Sequence, residues 1–300
     1  MSKLKKLGKG LDDISHLFLS SPKADSFTEQ DKHDDAKKDA PAKNICLIGD
    51  NADFRDSFLV INLSLALARL GMKIAVVDMD EGLPCVNFLL GREGMNADKN
   101  ESNEWIKKGP LGIELIGLNR TRMQQVSSSQ YPAELLSRLQ KIEDNADLIL
   151  LSISQKNFTQ RYSFFNDVIR EFLLLVPPEK NKMLAAYKII KTIFSYSPRA
   201  KIGTIITDID HMYEVEAVYH KMAAAAGKFL DKELYKYGFL FKIKQEVDST
   251  ANIASFYDAD LTACISNIAQ IIVLRLNIGE AQASSPSMFR KIIADVKITG

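Results

Sequence analysis

Residues Lys73–Gly91, KIAVVDMDEGLPCVNFLLG, constrain the fold more than any other part of the chain. A short apolar run, Ile74–Val77, ends abruptly at Asp78-Met79-Asp80, and an apolar-rich connector leads on to Gly91. Such a run has no polar face to offer water, so it fits a parallel strand covered on both sides. Leu148–Ser152 (LILLS) has the same character. Strands are expected at Ile45–Ile48, Ile74–Asp78, Ile113–Ile116, Leu148–Ile153, Phe172–Val176, Ile202–Thr207 and Gly238–Lys242. Helices are expected between them at Ser57–Leu70, Tyr131–Ile142, Lys180–Phe194 and Met212–Leu230. This alternation predicts an α/β fold with a doubly wound, mostly parallel sheet, and no internal repeat is visible.

With 300 residues and 46% hydrophobic content, the chain can bury one sizeable core. A net charge of +1 gives no electrostatic reason to expect a nucleic-acid partner. Cys46, Cys85 and Cys264 are isolated in apolar surroundings, so they read as reduced core residues of a cytoplasmic protein. The four histidines show no metal spacing, and no metal site is expected. No run of about 18 apolar residues stands out, and the start lacks a signal-peptide core. Residues 1–43 divide into an amphipathic patch, Leu4–Ser20, and a polar linker from Ser21. The folded body is expected over 44–280, followed by a short amphipathic helix within 281–300.

Several blocks resemble the MinD/ParA family of P-loop ATPases. Lys73–Gly91 is similar to the family's second strand and deviant Walker A′ segment, "VLLIDADLGLPNLDLLLG". Asn62–Gly71 (NLSLALARLG) resembles the helix after the phosphate loop, and Gly109–Gly117 (GPLGIELIG) resembles a segment of FlhG- and YlxH-like members. Glu171–Phe194 is similar to "DevvvVttPEptsltDAYaliKal", with Pro178-Glu179 and Ala186-Tyr187 in register. Lys228–Leu240 resembles "rfLgvelxylGyI". The resemblance spans about residues 44–276 and implies a P-loop NTPase fold of the SIMIBI type.

The phosphate loop departs from that pattern. Where the family reads "SGKGGVGKTT", Gly49–Phe58 reads GDNADFRDSF, and no G-x-x-x-x-G-K-[ST] occurs elsewhere. A P-loop works because its glycines let backbone N–H groups close around phosphate, with a lysine and a Mg²⁺-holding hydroxyl beside it. By this register Ala52, Asp53 and Arg55 replace glycines, Asn51 the signature lysine and Asp56 the Walker lysine. Only Ser57 keeps its chemical type. A carboxylate about 4 Å from phosphate costs on the order of 4 kcal/mol at an effective dielectric of 20. The Walker B motif "yDyilIDtPaG" corresponds to Ala146–Lys156, so Ser152 stands for the Mg²⁺-binding aspartate and Lys156 for the γ-phosphate-sensing glycine. The adenine-reading asparagine falls at or near Thr207-Asp208. Asp78 and Asp80 remain. The resemblance gives Asp80 the catalytic role if chemistry survives, and otherwise both aspartates cap the strand and hold the connector.

The expected function is a pseudo-ATPase acting as a regulatory module in spatial organisation, needing no cofactor. The alternative is a working ATPase that uses ATP and Mg²⁺ through Asp80, Ser57 and Arg55. The partner expected is a protein, an active MinD/ParA-type ATPase among the candidates, in a homo- or heterodimer. The tail's opening, LKKLGKGLDD, resembles the N-terminal peptide of ParB-type proteins that docks on ParA-family dimers. Its candidate contacts are Lys5, Lys6, Leu7, Lys9, Leu11, Ile14 and Phe18, with the apolar members at helical spacing. At the other end, Ser285-Pro286 is expected to open a helix through Val296. Met288, Phe289, Ile292, Ile293 and Val296 would form one face, able either to touch anionic membrane through 286–297 or to pack on the body. Arg120 and Arg122 are expected to be solvated, and Trp105 to anchor the polar insertion around it.

Overall fold

The computed structural model of the protein describes residues 43–50, 54–83, 85, 105–123, 132–161, 165, 168–243, 259–276 and 287–291. Its strands are β1 (Lys43–Gly49), β2 (Ile74–Asp78), β3 (Ile106–Lys108), β4 (Glu114–Gly117), β5 (Leu148–Ser154), β6 (Glu171–Val176), β7 (Lys201–Ile209) and β8 (Tyr235–Phe241). They form one sheet in the order β3-β4-β2-β5-β1-β6-β7-β8. All described pairings are parallel except β3 with β4.

The helices are α1 (Phe54–Arg69), α2 (Pro132–Asn145), α3 (Gln155–Arg161), α4 (Lys180–Tyr196), α5 (Met212–Leu230) and α6 (Ala259–Leu276). Alternate strand residues face opposite layers. Ile45, Leu47, Leu148 and Leu150 pack with α1 and α6, whereas Cys46, Ile48, Ile149 and Leu151 pack with α2, α3, α4 and α5. The apolar strand runs are therefore buried on both sides, as a doubly wound sheet requires.

The chain leaves β1 through α1 toward β2, then crosses from β5 through α3 to β6. These connections lie on opposite faces, which makes the carboxyl ends of β1 and β5 the place where winding reverses. In open α/β sheets that crevice is where ligands bind.

The structure extends the sequence reading at four places. α1 starts at Phe54, three residues before the expected Ser57, and Asp56 in its first turn favours the positive end of the helix. β3 was not expected, because three residues in a polar insertion carry no strand signal. The same holds for α3, which buries mainly Phe158 and Gln155 and lacks an apolar stripe. α6 was also missed. It is the one described helix long and apolar enough to cross a membrane, and Leu261, Ile265, Ile268 and Ile272 bury one face of it in the core.

Candidate functional site

Three strand ends meet at the reversal point: Gly49-Asp50 after β1, Asp78-Met79-Asp80 after β2, and Ser152–Ser154 at the close of β5. Parallel pairing sets Gly49 opposite Ser154 and Asp78 opposite Ser152. α1 begins above them, so Arg55, Asp56 and Ser57 enter the same crevice. Asn51, Ala52 and Asp53 lie outside the described residues.

Asp56 turns back toward the strand it follows. A Cβ placed on Gly49 would stand 2.0 Å from Asp56 Oδ2 and 2.4 Å from its carboxyl carbon. The carboxylate thus lies against the last residue of β1, in the first turn of α1. A negative charge there meets the positive end of the helix dipole.

Ser57, Asp78, Cys85 and Ser152 form a second, fully buried group. The Cys85 N–H donates to Asp78 Oδ2 at 2.8 Å, and the Asp80 N–H lies 3.3 Å from Asp78 Oδ1. The Cys85 thiol lies 3.4 Å from Ser152 Oγ and also bonds the Ser57 hydroxyl. Burial raises the thiol's pKa well above its ordinary value, and the charge of Asp78 adds to that rise, so Cys85 stays protonated. Cys46 is raised chiefly by burial too, and all three cysteines are buried and free.

Asp80 is 2% exposed. Its carboxylate accepts the Ser154 N–H at 2.9 and 3.1 Å, the Ser154 hydroxyl at 2.7 Å and the Asn157 amide at 2.5 Å. All four bonds come from the β5–α3 junction. The residue that the resemblance makes catalytic is here the anchor of one strand end to another.

On the far side of β1 the crevice is crossed by ion pairs. Arg55 Nη1 lies 3.1 Å from Asp208 Oδ2. Asp208 sits at φ +56 where β7 shifts register against β8. Lys182 at the start of α4 lies 3.4 Å from Asp50 and 3.0 Å from Glu179. Burial lowers the Lys182 pKa, but the bond and charge of Glu179 and the charge of Asp50 outweigh it and raise the value overall. The space that Asp50, Arg55, Lys182 and Asp208 line with Phe58, Leu175 and Leu261 is about 30 Å³, room for about two waters.

Elsewhere the outcome is mixed. Arg122 is not simply solvated: it stacks over Trp105 at 5.6 Å and donates to the Gly117 carbonyl at 3.3 Å. Burial lowers its pKa, and Trp105 packs against the core as expected. The C-terminal helix begins later than expected. Ser287 caps it, its hydroxyl accepting the Arg290 N–H at 3.3 Å. Met288 and Phe289, two members of the apolar face expected either to touch membrane or to pack on the body, are 0% exposed. Ile292, Ile293 and Val296 lie outside the described residues. So do Lys5, Lys6, Leu7, Lys9, Leu11, Ile14 and Phe18. Among the described residues no cluster of metal-ligating side chains occurs.

Sequence reasoning missed Asp50, Cys85, Ser154, Asn157 and Lys182. Asp50, Cys85 and Ser154 lie inside segments aligned to family motifs but at positions given no chemical role there, Asn157 and Lys182 have no such role either, and each is recruited by position: a strand end, a connector or a helix start.

No family profile matches the chain. The antiactivator FleN of Pseudomonas aeruginosa is 25% identical over 207 residues, covering 67% of this chain and 74% of that protein. The MinC:MinD cell division complex of Aquifex aeolicus superposes with a TM-score of 0.54 at 19% identity, over 82% of this chain and 99% of that one. A plasmid partition protein of Borrelia burgdorferi bound to AMPPNP gives 0.53 at 15% identity, over 78% and 99%.

Proposed function

We propose that this chain, which shares its fold with MinD and is 25% identical to the antiactivator FleN, is a regulatory binding module of the MinD/ParA type whose nucleotide seat is filled from within, a pseudo-ATPase. The observation that carries this reading is the Asp56 carboxylate lying against Gly49, on the approach that phosphate would take to the first turn of α1. A phosphate entering there meets an anion in place of the Walker lysine's cation, a difference of several kcal/mol in sign and size.

The residues present do not suit ATP with Mg²⁺. Ser57, the expected magnesium ligand, bonds Cys85. Asp78 accepts the Cys85 N–H, and Ser152 offers a neutral hydroxyl where a carboxylate belongs. Arg55, the cation of this segment that could stand in for a lysine, is engaged with Asp208. Loss of the loop, the metal shell and the base reader together favours a protein kept for its surfaces.

FleN is named an antiactivator, and MinD is seen in complex with MinC. We assign this chain to the same general work, regulation of spatial organisation in the cytoplasm through a protein partner. The LGKGLDD peptide would dock on an active ATPase of the superfamily. A synthetic 1–21 peptide should bind that ATPase or raise its rate; an inert peptide, with full function left after deleting 1–43, removes the docking role. Calorimetric titration of the purified protein with ATP and ADP, with and without Mg²⁺, tests the pseudo-ATPase reading. No saturable heat is expected, and a Mg²⁺-dependent isotherm would establish the working-ATPase alternative.

A further inference from the structure

The connector after β2 is held at three successive carboxylates. Asp78 accepts the N–H of Cys85 at 2.8 Å, so the connector folds back over the strand end. Asp80 reaches across to β5 and α3 through Ser154 and Asn157. Glu81 reaches the other way, accepting the Arg120 N–H at 3.0 Å and the Thr121 hydroxyl at 3.3 Å just after β4. β2 lies between β5 and β4 in the sheet, so these bonds clamp its carboxyl end to both neighbours.

One donor of the clamp, Ser154, departs from the motif that this segment resembles. The family's Walker B motif, in the register given above, has proline at position 154. Proline has no N–H to donate, whereas Ser154 supplies both an N–H and a hydroxyl to Asp80. Hydrogen bonds to a carboxylate are the stronger kind, and at 2% exposure those to Asp80 are shielded from competing water.

We infer that the segment after β2, Asp78–Leu83 with Cys85, is a permanently closed switch, held by Asp78, Asp80 and Glu81 in one conformation that nucleotide does not alter. This rests on the reading above that the crevice is self-occupied. It implies that any partner contacting this edge binds equally well with and without ATP. The Asp80 carboxylate acts here as a positioning group, with the donors of Ser154 and Asn157 as its fixed end.

Hydrogen exchange on the full chain, read at the amides of Cys85, Arg120 and Ser154, tests this. All three should be protected, and their rates should be the same with and without ATP and Mg²⁺. Asp80→Asn should speed exchange at Ser154 by about tenfold or more, the equivalent of losing one charge-assisted bond, while the Lys242 amide bonded to Ile209 is unchanged. If Asp80→Asn does not fold, Glu81→Gln with Arg120 as the reporter serves the same purpose. Unprotected amides in the wild type, an unchanged Ser154 rate in the variant, or amides that become protected only with ATP would each overturn the closed switch. ATP binding that leaves all three rates untouched would overturn the pseudo-ATPase reading alone. Free exchange in a protein that ignores ATP would overturn the switch alone.

Discussion

The carboxylate of Asp56 occupies the space that a side chain on Gly49 would need, with Oδ2 only 2.0 Å from the place of a Cβ. The two positions are therefore coupled. Gly49→Ala should destabilise the protein by about 1–3 kcal/mol, the usual cost of overpacking. In an Asp56→Ala background the same change should cost about 1 kcal/mol less, because the clash is gone. A double-mutant cycle by urea denaturation measures the coupling. Additive effects would show that the carboxylate does not rest on Gly49.

Glu143 on α2 ties the C-terminal turn to the body. It accepts the Met288 N–H at 2.6 Å and the Ser287 hydroxyl at 2.7 Å. Phe289→Ala should cost about 3–5 kcal/mol, as for other fully buried aromatics. Glu143→Ala should cost about 1–3 kcal/mol for the buried donors it abandons. Chemical denaturation checks both. Liposome co-sedimentation should not change when 286–300 are deleted, since Met288 and Phe289 already lie in the core.

Glu214 gives a pH dependence of known sign. Backbone N–H groups of His211 and Asp210 stabilise its ionised form and hold its pKa below 4.5. A depressed folded value means the contribution is complete above the unfolded value and fades as pH falls through the folded one. The melting-temperature gap between wild type and Glu214→Gln should be constant at neutral pH and shrink on acidification below the ordinary carboxylate range. A gap that widens on acidification would contradict the capping role.

The central fold was legible because Ile74–Val77 and Leu148–Leu151 are apolar throughout, and only a strand covered on both faces tolerates that. The edges were not legible. β3 and α3 are short and polar, and their existence depends on β4 and β5 being in place. Asp78 and Asp80 could be picked out as a pair at a strand end. Their partners could not, because Cys85, Ser154 and Asn157 meet them only after three strands align. Arg122 shows the same limit, since its stacking on Trp105 joins residues on either side of β4.

The charge pair of Arg55 with Asp208 contributes little to stability by itself. The Arg55 side chain is 45% exposed, and pairs this open are worth at most about 1 kcal/mol. Arg55→Ala should lower stability by no more than that in urea denaturation. A loss several times larger would mean that the pair, and not the buried groups around Ser57, closes the crevice.

The central claim is that the nucleotide seat is filled from within, and ligand-dependent melting tests it most directly. A ligand at 100 times its dissociation constant adds about 2.7 kcal/mol of stability, several degrees for a protein of this size. With an active MinD/ParA-type ATPase run alongside as the positive control, ATP with Mg²⁺ should leave this protein's melting temperature unchanged. Asp56→Lys alone should leave it unchanged as well, because in the sequence register proposed above Ala52, Asp53 and Arg55 replace the glycines of a phosphate cradle. A Mg²⁺-dependent rise of several degrees in the wild type would contradict the account.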